Sequence, residues 1–170
     1  MSKHKLIGYG SLISHKSFHP SSKHSKTITP VIIKGYKRIF NISEKKGKSA
    51  DILNLVKSKN SKFNGVLFEI DDFELEKLRK REDWYNLEKI DYYDFETKKK
   101  LGKAIACIDY FLFIDKKKKL PEKNYFILCR EAAYNLSEEF GRMWDETTFT
   151  SGNKKISVWI KKHKGYDTLS

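Results

Sequence analysis

Short apolar runs and alternations fill the chain up to about residue 114, and a helical stripe takes over from residue 121. Lys5-Leu6-Ile7 reads as a short strand. The polar stretch 14–29 behind it holds Pro20 with several Ser and Lys residues, too long for a plain loop, so the pattern predicts a helical turn at 15–18 and irregular chain elsewhere. Val31-Ile32-Ile33 and Arg38-Ile39-Phe40-Asn41-Ile42 read as strand, with a bend or bulge at Gly35 between them. After a charged turn at 44–49, residues 51–56 alternate as a half-buried strand, and Asn64-Gly65 opens the apolar strand Val66-Leu67-Phe68-Glu69-Ile70.

Asp71-Asp72 is a helix cap, and Phe73, Leu75 and Leu78 follow near a 3.6-residue period in a helix ending near Arg81. Two more strands are predicted over 85–95 and 104–114, joined around 98–102. The tail starts a helix at Pro121 and places Tyr125, Leu128, Ala132, Ala133, Leu136 and Phe140 on one face. Ile156, Trp159 and Ile160 mark a last short helix. There is no internal repeat. Strands in clusters, with helices between and after them, predict an α+β domain spanning 1–170 rather than an alternating parallel sheet.

Composition adds bounds. A chain of 170 residues with 39% apolar content is long enough for one sizeable core. No stretch approaches the roughly 18 apolar residues of a membrane span. Met1-Ser2-Lys3-His4-Lys5 has no long apolar run behind it, so no secretory signal is expected. Cys107 and Cys129 are the only cysteines, both in apolar patterns, and read as buried thiols of a reducing compartment. A cytoplasmic protein is the expectation. The formal charge of +13 raises the question of nucleic acid. Its distribution argues against that role: the lysine runs sit at turns or near the terminus, and the arginines number only five, whereas phosphate and base recognition favour the guanidinium fork. Oligomeric state is not readable from the pattern.

Candidate chemistry begins in Gly8-Tyr9-Gly10-Ser11-Leu12, a glycine-rich loop ending the first strand. Its backbone can turn tightly and present N–H groups to a carboxylate or a developing oxyanion. The loop lacks the third glycine and crossover helix of a dinucleotide fingerprint. It is no nucleophile elbow either, because Ser11 has no glycine two places later. His15 and His19 have helical ligand spacing and His24 lies close by, but Pro20 adjoins the pair and no carboxylate completes a metalloprotease pattern, so no metal is expected. An acid or base must converge on the loop for it to act, and Glu82, in Leu78-Arg79-Lys80-Arg81-Glu82-Asp83-Trp84-Tyr85, is the candidate. By itself, a carboxylate beside Arg79 and Arg81 also reads as a surface ion-pair partner.

The order of Tyr9-Gly10-Ser11-Leu12-Ile13, Lys34-Gly35-Tyr36-Lys37-Arg38-Ile39-Phe40-Asn41, Asn64-Gly65-Val66-Leu67-Phe68-Glu69-Ile70 and Leu78-x-x-Arg81-Glu82-x-x-Tyr85 resembles the γ-glutamylcyclotransferase-like family with its AIG2-like relatives. The motifs cover roughly the first 95 residues, with weaker similarity around Cys129-Arg130-Glu131-Ala132-Ala133 and over 140–149. The resemblance implies a single domain whose mixed sheet curls, barrel-like, and is flanked by helices. It also implies an activity: the α-amine of a γ-glutamyl group attacks its own γ-amide carbonyl, giving 5-oxoproline and a released amine without a cofactor. By motif position Tyr9, Gly10, Ser11 and Leu12 would grip the glutamyl group and Glu82 would handle protons. Tyr85 would place a hydroxyl on the substrate, and Arg38 would meet a substrate carboxylate. Relatives carry a Leu-Asp-x-Arg-Glu pattern where this chain has Leu78-Arg79-Lys80-Arg81-Glu82, a change of local charge that bears on substrate choice. The substrate is then a small γ-glutamyl compound. Two other readings stand beside this one: a non-catalytic module holding a small carboxylate on the same fold, and a basic nucleic-acid binder.

Overall fold

The computed structural model describes residues 2–14, 27–43, 50–82, 85–110 and 119–169. The helical turn expected at 15–18, the turn at 44–49 and the far end of the strand expected over 104–114 lie outside these. Strand β1 (Lys3–Gly8) buries Leu6 and Ile7 completely. It is paired on one side, antiparallel, with β3 (Ala50–Asp71) and on the other, parallel, with β5 (Lys100–Ile108) through Leu6↔Ile105. Beyond β5 come β4 (Asn86–Asp94) and β2 (Thr29–Ser43), and β2 pairs again with β3, so the five strands curl into a ring. Short parallel additions, β6 (Leu120–Pro121) on β3 and β7 (Thr148–Phe149) on β2, make the sheet mixed. The closing contact between β2 and β4 is short, Val31↔Asp94 and Ile32↔Tyr93.

The sequence pattern divides β2 and β3 more finely than the structure does. Residues 31–33 and 38–42 belong to one strand, with a register shift between Lys34 and Tyr36 where Gly35 takes φ +83°. Likewise β3 runs unbroken through the polar stretch Lys57 to Lys62, and Asn64-Gly65 lies within the strand instead of opening it. There β2 pairs only with Lys57 and Lys62, through Tyr36 and Lys34, residues 58–61 bulge out opposite Gly35, and Lys57, Lys59 and Lys62 face water.

Helix α1 (Asp72–Arg81) starts at the predicted cap. Asp71 Oδ1 accepts from Glu74 N–H at 2.8 Å and Glu74 Oε2 accepts from Asp71 N–H at 2.9 Å, a reciprocal capping box. The tail differs from its expected single helix. It is two helices, α2 (Lys123–Leu136) and α3 (Glu138–Thr147), broken at Ser137, whose Oγ accepts from Phe140 N–H at 3.0 Å and restarts the chain at a new angle. The buried stripe of α2 is Phe126, Cys129, Arg130 and Ala133, while Leu128 and Leu136 face solvent. Pro121 lies in β6, ahead of the cap at Glu122. The last helix, α4 (Ile156–Trp159), buries the residues expected of it.

Phe126 sits at the centre of the helical layer, its ring 5.9 Å from that of Trp144 and 5.3 Å from that of Tyr166, and Phe40 of β2 packs on it at 5.7 Å. Beside this cluster Arg130 of α2 grips Asp145 of α3 through Nε and Nη2, both at 2.9 Å, and the Tyr134 hydroxyl donates to the same carboxylate at 2.8 Å. These bonds clamp α2 to α3, and Phe40 ties the pair to β2.

Candidate functional site

The parallel pairing of β1 and β5 brings the carboxyl ends of both strands to one edge of the ring, and β4, antiparallel to β5, begins there with Asn86↔Ile108. That edge gathers the loop after β1, Cys107 near the end of β5 and the turn leading into β4. After β1 the backbone folds into a 3-10 turn, Ser11–Ile13, in which Ile13 N–H donates to the Gly10 carbonyl at 3.0 Å and Ser14 N–H to that of Ser11 at 3.1 Å. The first N–H groups of such a turn, those of Ser11 and Leu12, have no acceptor within it. The fold-back is tight. A Cβ on Gly8 would lie 2.7 Å from the Leu12 carbonyl oxygen, and one on Gly10 would lie 2.6 Å from the Tyr125 hydroxyl. Gly8→Ala meets backbone that cannot swing aside. Its expected cost is about 1–3 kcal/mol, read as a fall in the thermal midpoint of roughly 2–4 °C per kcal/mol.

A cleft of about 30 Å³ opens at this edge, lined by Tyr9, Gly10, Ser11, Leu12, Leu53, Glu82, Tyr85, Cys107 and Tyr125. Six of the seven site residues read from the sequence therefore meet in one place. Glu82 is the C-cap of α1: its N–H donates to the Leu78 carbonyl at 2.8 Å and its carbonyl accepts from Tyr85 N–H at 2.9 Å, which fixes the residue from both sides. Its side chain is only 15% exposed and pairs with Arg81 Nε at 3.1 Å, so the ion-pair reading and the cleft reading describe the same carboxylate.

Arg38 is the seventh, and it does not line the cleft. It is fully buried behind the loop, where Nη1 donates to the Tyr9 and Asn64 carbonyls at 3.3 and 2.5 Å. Nη2 reaches Asn64 Oδ1 at 2.9 Å, Thr147 Oγ1 at 3.1 Å and the Trp144 carbonyl at 3.3 Å, and Nε donates to Thr148 Oγ1 at 2.8 Å. A guanidinium with every nitrogen committed to protein acceptors has no fork left for a substrate carboxylate. The side chain points across the ring, towards the C-terminal end of α3, instead of out of its edge.

Leu53, Cys107 and Tyr125 belong to the lining but were not read as site residues. Tyr125 reads from sequence as part of a packing face, and only the break at Ser137 and the seat of α2 bring it against Gly10. The Tyr9 hydroxyl donates to the Cys107 carbonyl at 2.5 Å and the Tyr85 hydroxyl to the Leu53 carbonyl at 2.9 Å. Burial lifts the phenols of Tyr9, Tyr85 and Tyr125 well above their ordinary range, and the Glu82 carboxylate adds to all three. They remain protonated at any working pH. Burial, and after it the charge of Glu82, also pushes the Cys107 thiol up to about 12, while burial does the same to Cys129, so neither is a nucleophile near neutrality. The titratable partner offered by the cleft is the carboxylate.

Among the described residues no three His, Cys, Asp or Glu side chains are grouped to hold a metal ion, and no helix is long and apolar enough to cross a membrane. His15, His19 and His24 lie outside the described residues.

Residues 5–124 match the sequence family described as ChaC-like protein. The chain belongs to the ChaC-like family. Among curated proteins there is no match. Similar solved structures share the fold at low identity. A human structure described as uncharacterized protein loc79017 aligns at TM-score 0.69 and 16% identity over 85% of this chain and 87% of its own. One described as gamma-glutamyl cyclotransferase gives 0.68 and 16% over 95% and 99%. A yeast gamma-glutamyl cyclotransferase described as specific to glutathione gives 0.56 and 13% over 93% and 99%. The curled sheet and its flanking helices are thus the architecture of the family that the sequence motifs resemble.

Proposed function

We propose that this ChaC-like protein is a γ-glutamyl cyclotransferase acting on a small γ-glutamyl compound. The observation that carries the reading is the shared cleft: the Glu82 carboxylate and the loop Tyr9 to Leu12 line the same small space. In the proposed reaction, Glu82 takes a proton from the α-amine of the γ-glutamyl group, and the freed amine attacks the γ-carbonyl carbon. A C–N bond forms, and the carbonyl oxygen becomes an oxyanion facing the loop N–H groups. When the tetrahedral centre collapses, the original amide C–N bond breaks, Glu82 returns its proton to the departing nitrogen, and the extra proton of the new ring nitrogen passes to the released amine or to solvent. The products are 5-oxoproline and a free amine. Attack is intramolecular, so a cleft that holds the folded-back conformer removes much of the entropic barrier. Tyr85 shapes the wall through its ring, since its hydroxyl hydrogen is held by Leu53.

The test is a panel of glutathione, γ-glutamyl amino acids and γ-glutamyl amines, assayed for 5-oxoproline. Turnover of at least one is expected. Saturable binding of a γ-glutamyl compound with no 5-oxoproline would replace the enzyme with a module that only holds small carboxylates.

A further inference from the structure

The guanidinium of Arg38 is buried directly behind the loop, where it donates to the Tyr9 carbonyl. None of the acceptors it meets is a carboxylate: they are the carbonyls of Tyr9, Asn64 and Trp144, the Asn64 amide oxygen and two threonine hydroxyls. The rings of Phe63 and Trp144 cover it, their centroids 5.3 and 5.1 Å from the guanidinium carbon. Trp144 and Thr147 belong to the last turn of α3, whose C-terminal end favours a cation. Burial lowers the guanidinium to about 9, which still leaves it charged at neutral pH. The positive charge is therefore held mainly by protein dipoles, and the Asp145 carboxylate that also acts on it through space is itself gripped by Arg130.

One of those dipoles is a peptide of the loop. In a trans peptide the carbonyl and the following N–H point in opposite directions. The Tyr9 carbonyl points back to Arg38, so the Gly10 N–H of the same peptide points away from Arg38, and Gly10 is among the residues that line the cleft. Hydrogen bonding at one end of an amide polarises it and strengthens the donor at the other end.

We propose that Arg38 is a positioning residue which, through the Tyr9–Gly10 peptide, makes the Gly10 N–H a stronger and better-aimed donor for an oxyanion in the cleft. The proposal rests on the cyclotransferase reading for its oxyanion, but its physical core, the polarised peptide, is measurable without substrate. It also gives a reason for placing a costly buried cation here, where a hydrophobic residue would fill the same space.

The experiment compares Arg38→Met with Thr148→Val. The second variant removes the Nε acceptor and loosens the same region but keeps the bond from Nη1 to Tyr9. Both are expected to unfold at lower temperature. Only Arg38→Met is expected to lower kcat for 5-oxoproline formation, on the order of 10- to 100-fold, with KM moved less than about threefold. In a spectrum labelled with 15N at glycine, the Gly10 amide should shift upfield in Arg38→Met and stay in place in Thr148→Val. Should Arg38→Met fail to fold, Arg38→Gln, which removes the charge and keeps some hydrogen bonding, takes its place with the same readouts. Equal losses of kcat in both variants, or an unmoved Gly10 amide, would overturn the proposal. If the wild-type protein forms no 5-oxoproline at all, the cyclotransferase reading falls, while the Gly10 amide still decides whether Arg38 polarises the loop.

Discussion

Glu82→Gln is expected to lower the rate of 5-oxoproline formation by about 10²- to 10⁴-fold, the usual range for removing a positioned general acid–base. Glutamine has the shape of glutamate and keeps hydrogen-bonding capacity, but it can neither take the proton from the attacking amine nor return one to the leaving nitrogen. The fold should hardly notice. The backbone bonds that fix residue 82 as a helix C-cap, to Leu78 and from Tyr85, do not involve the side chain. The pair with Arg81, at 3.1 Å, is made to a side chain that is 40% exposed, so losing it costs roughly 0–1 kcal/mol. Thermal unfolding of the variant should thus overlay that of the wild type while turnover collapses. Full turnover in a folded Glu82→Gln would take the proton transfers away from this residue, and the mechanism with them.

The second large effect lies in stability. Asp145→Ala is expected to destabilise the fold by about 3–5 kcal/mol, because it leaves the buried guanidinium of Arg130 without its bidentate partner. Asp145 accepts from Arg130 Nε, from Arg130 Nη2 and from the Tyr134 hydroxyl, and the side chains of the ion pair are each only 8% exposed. Asp167 still touches Arg130 Nη1 at 2.9 Å, which places the expectation nearer the lower bound. At roughly 2–4 °C per kcal/mol for a domain of this size, calorimetry should show a midpoint lower by about 6–20 °C. Arg142 and Glu138 supply the contrast. They form an i,i+4 pair on α3 with both side chains 72% exposed, and Glu138→Ala should cost no more than about 0.5 kcal/mol. Similar losses from the two variants would mean that burial does not set the worth of these pairs.

Much of the fold is legible in the chain because local signals and tertiary demands agree. The apolar run before Gly8, the Asp71 cap and the periodicity to Leu78 each name their element, and the structure keeps them. Legibility fails where a partner far along the chain decides. Nothing local says that Lys57 and Lys62 are strand, since both take their partners, Tyr36 and Lys34, from β2. Ser137 is an ordinary polar residue on a helical wheel and becomes a break only because α3 turns to pack its aromatic face. The site divides in the same way. Tyr9 to Leu12 and Glu82 stand out by residue type and order, whereas Tyr125 reaches the cleft through the packing of α2. Arg38 is a charged residue whose role depends on depth, and depth is not written in a strand of mixed polarity.

The order in which the chain leaves the ribosome gives the first strand an unusual wait. Leu6 takes its parallel neighbour at Ile105, so at synthesis rates of about 5–20 residues per second one flank of β1 stays without that neighbour for roughly 5–20 s. Throughout that interval the loop that follows β1 hangs from a half-made edge, open to chaperones and to stray pairing with other nascent chains. Maturation of this protein should therefore be more sensitive to crowding and heat during translation than the finished molecule is afterwards.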